Sequence, residues 1–111
     1  MASGSISGGI KEGSLSIASG WTNGNSWLFK TGNVVDCYVE ITGGTLSSGW
    51  NTIATLPEGF RPKYYFDSVQ LDNGRDTIVA TKVVYSGAIQ VYKLTNTSNN
   101  LRLHFSFIAD H

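Results

Sequence analysis

From residue 15 onward, apolar and polar positions alternate with a period close to two. The segment VVDCYVEI (34–41) is the clearest case. Val35, Cys37, Val39 and Ile41 fall on one side, and Asp36, Tyr38 and Glu40 on the other. Successive side chains of an extended strand point to opposite faces, so this pattern predicts a half-buried strand with the first set inward. LRLHFSFI (101–108) repeats it, with Leu101, Leu103, Phe105 and Phe107 against Arg102, His104 and Ser106. SWLFKT (26–31) puts Trp27 and Phe29 on one face, which predicts a strand with Trp27 in the core. LSIA (15–18), YYFDSVQL (64–71), TIVATKVVY (77–85) and AIQVYKL (88–94) supply further strands. In WNTIATL (50–56), strict alternation joins Trp50, Thr52, Ala54 and Leu56 on one face and leaves Ile53 on the other. Apolar groups on both faces predict a buried strand and a structural Trp50.

The breaks between these runs are turn-formers. TGN (31–33), the Gly43-Gly44 pair, SSG (47–49), PEG (57–59), DNGRD (72–76) and TNTSNN (95–100) interrupt the alternation. Ser86-Gly87, between two β-rich runs, predicts a tight hairpin. Pro57 removes a ladder donor, Gly59 permits a sharp turn, and Pro62 keeps Arg61 extended. No window carries a 3.6-residue period, and Glu and Ala are scarce. The expectation is an all-β chain: an antiparallel β-sandwich or barrel, jelly-roll-like, of about 7–8 strands. Residues 1–14 are rich in Gly and Ser and read as a flexible lead-in or linker, with one domain over 15–111.

Composition narrows the function. Eight basic and eight acidic residues give a formal charge of zero, with no basic run. Phosphate backbones and anionic lipids need concentrated Lys and Arg, so neither nucleic acid nor a membrane surface is an expected partner. No segment approaches the ~18 apolar residues of a membrane-spanning helix. The opening MASGSISGGIKEGS has neither the basic nor the apolar region of a secretory signal. The single cysteine, Cys37, reads as a small buried hydrophobe. His104 and His111 lack metal-ligand spacing, and there is no nucleophile elbow or phosphate loop. DNGRD starts like a calcium loop, but Arg75 intrudes and the later oxygen ligands are missing. The expectation is a protein that is not an enzyme, with no catalytic residues, metal or cofactor.

What remains is aromatic and amide-rich surface. Sugar rings stack on Trp or Tyr, and their hydroxyls pair with planar groups that donate or accept. WTNGNSW (21–27) has that content, and Trp21 lies outside any alternation. Trp21, Asn23 and Asn25 are therefore candidate saccharide-binding residues. Asp67, Arg75, Asp76 and His104 join them from turns and outward strand faces.

Four segments in fixed order carry a resemblance: GNVVDCYVEI (32–41), SGWNTIATLPEGFRP (48–62), GAIQVYKL (87–94) and LRLHFSFIAD (101–110). Together they span about residues 26–110. The chain resembles the C-terminal head domain of tail-fibre and baseplate proteins from phages of Gram-positive bacteria. The resemblance implies a receptor-binding head, assembled as a homotrimer at the tail tip or baseplate of the virion. It also implies adhesion to host cell-wall polysaccharide or a teichoic-acid-like polymer without catalysis. Other tail or baseplate proteins would attach on the N-terminal side. Two alternatives stand beside it: a structural baseplate assembly module, and a carbohydrate-binding module of a cell-wall hydrolase.

Overall fold

The alternating segments pair as two antiparallel sheets that face each other as a sandwich, without closing into a barrel. The computed structural model describes residues 9–71, 78–93 and 99–110. One sheet contains β1 (Ile10–Glu12), β4 (Trp27–Thr31), β5 (Val34–Thr42) and β10 (Asn100–Ile108), in that order. A short β3 (Thr22–Asn23) pairs with β5 beyond the end of β4. The second sheet runs β2 (Ser16–Ile17), β6 (Gly49–Thr55), β9 (Ala88–Lys93), β8 (Ile78–Val83) and β7 (Phe66–Leu71). The described residues thus hold ten strands, more than the pattern predicts, because β1, β2 and β3 are only two or three residues long. β1 lies inside the segment expected as a lead-in, where it pairs with β4 through Ile10↔Thr31 to Glu12↔Phe29.

The core forms where the predicted inward faces meet. β5 and β10 pair along nine residues, from Val34↔Ile108 to Thr42↔Asn100. Val35, Cys37, Val39 and Ile41 are buried beside Leu101, Leu103, Phe105 and Phe107. Opposite them lie Ile53, Leu56, Val79, Val83, Ile89 and Val91 from the second sheet. Each fully buried aliphatic or aromatic side chain contributes about 1.5–3 kcal/mol relative to exposure. Cys37 belongs to this layer. Burial pushes its thiol up to about 12, and the adjacent Asp36 carboxylate adds to the rise. A folded pKa above the ordinary 9.0 stabilises the folded state fully below that value, and the contribution is lost as pH rises toward 12. At pH 8 the native thiol is expected to resist a disulfide-exchange reagent, and to react stoichiometrically in denaturant. Fast labelling of the native protein would contradict this burial.

Two bulges re-aim side chains that strict alternation misplaces. Asn23 pairs with Ile41, but Trp27 pairs with Tyr38, so one extra residue lies between them. The Gly24 amide donates to the Glu40 carbonyl at 2.7 Å, and the Glu40 amide donates to Ser26 Oγ at 2.9 Å. The phase shift turns Leu28 inward and brings Trp27, expected in the core, to the surface at 36% exposure. In β6 the register slips between Thr52 and Ala54. Ile53 and Ala54 are both buried, and Trp50, expected to be buried, is 43% exposed.

The β8–β9 connection is longer than the two residues expected. The Val84 amide donates to the Ala88 carbonyl and the Gly87 amide to Val84. Tyr85–Gly87 is therefore a three-residue loop closed by Gly87 at φ 91°. A turn followed by a left-handed glycine matches strand twist where Ser-Gly alone does not.

Candidate functional site

β4, β5 and β10 lie side by side, so their outward residues share one surface. Register sets Trp27, Tyr38 and His104 in a row across the three strands. The Trp27 and Tyr38 rings stack at 5.5 Å between centroids and 28° between planes. His104 lies 5.8 Å from Trp27, and Phe29 stands 5.8 Å away on the same strand as Trp27. Two polar pairs flank this row. On one side His104 Nε2 meets Asp36 Oδ1 at 2.7 Å. On the other, Arg102 Nε donates to Tyr38 Oη at 3.0 Å, and Tyr38 Oη donates to Glu40 Oε1 at 3.2 Å. The bond to Tyr38, with Glu40 adding, raises the already high pKa of Arg102, so this residue is a fixed cation.

Beside Trp27, where β1 ends, there is a notch of about 220 Å³ lined by Glu12, Ser14, Asn23, Ser26 and Trp27 among others. The arrangement offers an apolar aromatic surface, carboxylate acceptors, guanidinium donors and an imidazole within a few ångströms. Such a set suits a ligand with one apolar face and an edge of hydroxyls. Among the described residues, no cluster of His, Cys, Asp and Glu could hold a metal ion.

The structure distributes the sequence candidates widely. His104 lies in the aromatic row, and Asn23 lines the notch beside Trp27. Asn25 is exposed in the bulge between β3 and β4. Trp21 is half-buried and packs against the core. Its indole covers Gly44, where an added Cβ would stand 2.1 Å from ring carbons. Asp67 is on the other sheet, opposite Lys82 in register. Arg75 and Asp76 lie outside the described residues, as does the expected DNGRD turn.

Sequence reasoning did not single out Trp27, Asp36, Tyr38, Glu40 or Arg102. A signal existed for four of them: Asp36, Tyr38 and Glu40 form one predicted outward face, and Arg102 shares another with His104. Pairing those two strands assembles the rim. Trp27 was hidden by the bulge. The chain matches no known family model and no curated protein.

Proposed function

We propose that this chain is a non-enzymatic saccharide-binding head, which adheres to a cell-wall polysaccharide or teichoic-acid-like polymer through the outer face of the first sheet. The observation that carries this reading is the stack of exposed Trp27 on half-buried Tyr38, flanked by Asp36–His104 and Arg102–Glu40. A sugar ring stacked on Trp27 would bring its hydroxyls within reach of both flanks. Because those hydroxyls exchange water for protein partners, each contact contributes modestly. Weak single sites suit an array of copies, in which avidity replaces affinity. The sequence resemblance supplies the setting: a phage tail tip or baseplate, a homotrimer, and attachment to other tail proteins on the N-terminal side.

The test is calorimetric titration of the purified protein with wall polysaccharide fragments of a candidate Gram-positive host. Trp27→Ala is expected to weaken binding tenfold or more while the domain stays folded, because the ring lies on the outer face of the sheet and not in the core. Unchanged binding by this variant would sink the assignment of the face.

One feature favours the assembly-module reading as an additional role. The outer face of the second sheet carries Trp50, Tyr92, Val69, Leu71 and Ile78, all exposed. Trp50 and Tyr92 meet edge to face at 5.2 Å, with Lys82 Nζ 4.2 Å above the Trp50 ring. Apolar surface of this kind commonly marks a protein contact. Light scattering is expected to give three chain masses, and a monomer at micromolar concentration would remove the trimer from the reading.

A further inference from the structure

A second constellation of ligand-binding type lies at one end of the sandwich, away from the Trp27 row. Glu58, Gly59, Arg61, Tyr85 and Asp110 line a pocket of about 130 Å³. Three separate segments meet here: the loop after β6, the β8–β9 loop and the C-terminal residues after β10. Backbone bonds fix them to one another. The Asp110 amide donates to the Arg61 carbonyl at 2.8 Å, Lys63 to Ile108 at 2.9 Å, and Leu56 to Gly87 at 2.9 Å. Arg61 Nε donates to the Leu56 carbonyl at 3.2 Å, which holds the guanidinium in place. Gly87 makes this packing possible, since a Cβ there would lie 2.7 Å from the Leu56 oxygen and 2.9 Å from Arg61 Nε.

The aromatic part adjoins the polar one. Tyr85 is 57% exposed, and its ring lies 4.6 Å from that of Tyr65, which is 55% exposed. Tyr65 in turn lines an apolar trough of about 190 Å³ with Tyr64, Phe66, Phe107 and Ile108. The paired tyrosines therefore join a polar pocket to an apolar trough. Their exposure leaves little of either ring to stabilise the core.

We infer that this pocket and its tyrosine pair form a second saccharide subsite, for a neutral sugar with adjacent hydroxyls. Arg61 offers paired donors, Glu58 and Asp110 offer acceptors, and the tyrosines offer a stacking face, the combination that reads a vicinal diol. Two carboxylates beside the guanidinium disfavour a phosphate or sugar acid. The pocket admits one ring edge, while the trough gives the next ring an apolar surface. The inference rests on the saccharide reading for its ligand class and shares no residue with the Trp27 face. His104 on β10 and Asp110 just beyond its end are six residues apart, about 20 Å at strand rise, a separation within the reach of one polymer chain.

The experiment is amide chemical-shift mapping of the labelled protein with millimolar galactose, glucose, rhamnose and N-acetylglucosamine. At least one sugar is expected to shift the amides of Gly59, Arg61 and Gly87. Tyr85→Ala and Asp110→Asn, both at exposed positions, are expected to weaken those shifts tenfold or more while the rest of the spectrum stays native. No shift at 58–61 and 85–87 with any of the four sugars overturns the inference, as do shifts that survive Tyr85→Ala. The two readings separate in the same data. Shifts confined to Trp27, Tyr38 and His104 remove this subsite and leave the first face standing. Shifts confined to the Arg61 pocket support the subsite and remove the first face.

Discussion

Phe105→Ala is expected to lower the free energy of unfolding by about 3–5 kcal/mol. Phe105 is the largest of the fully buried side chains, on the central stretch of β10. It pairs with Cys37 across the longest ladder of the fold, and Phe66 from the other sheet meets its ring edge at 6.1 Å. Truncation removes apolar contact with both sheets at once, and two strands held in nine-residue register cannot collapse into the gap. Domains of this size are stable by only about 5–15 kcal/mol, so the variant stands near the limit of folding. Urea unfolding is the measurement, read as a lower midpoint at unchanged slope. A cost under about 1 kcal/mol would mean that the sheets do not pack through this residue.

The second large effect is a rescue. Gly44 is buried and has no positive φ to protect, so its need for hydrogen in place of a side chain is steric. The indole of Trp21 occupies the space a Cβ would take. Gly44→Val is therefore expected to destabilise by about 3 kcal/mol, the upper range of ordinary overpacking. Trp21→Ala alone is expected to cost about 2 kcal/mol, less than a fully buried Trp because the ring is only partly buried. In the Trp21→Ala background, Gly44→Val is expected to cost under about 1 kcal/mol, since the obstructing ring is gone. This coupling is of the size found between residues in contact. Strict additivity of the two changes would place the Trp21 ring elsewhere, free to meet a ligand.

Trp21 and Trp27 show what alternation can and cannot disclose. β5 and β10 were legible in full, because a period of two with one apolar set leaves only one way to bury the strand. The sandwich follows from such strands and the turn-formers between them. Trp27 was not legible, because its facing depends on one extra residue at Gly24–Ser26. That bulge is stabilised by Ser26 Oγ taking the Glu40 amide, a contact across fourteen positions that no local pattern announces. Trp50 was misplaced for the same reason, by the slip at Ile53. The site was half legible: the outward sets of β5 and β10 were visible as sets, but their meeting in one row is a product of pairing.

β7 departs from the pattern in another way. Val69 and Leu71 face solvent, while Ser68 and Gln70 turn inward. The reason is the open side of the sandwich, where β7 and β10 are both edges. Ser68 Oγ meets Thr81 Oγ1 at 2.7 Å, and Gln70 Oε1 accepts the His104 amide at 2.8 Å.

That last bond bears on what the open edge of the first sheet can pair with. A nine-residue edge strand is a template on which another extended chain can add, and such addition propagates into fibres. The Gln70 side chain occupies the middle of that template, and the Lys63 amide takes the Ile108 carbonyl near its end. An incoming strand would have to displace both before it could lengthen the sheet. The inward glutamine and the Lys63 amide therefore act together as stoppers on an edge that would otherwise be open to strand addition.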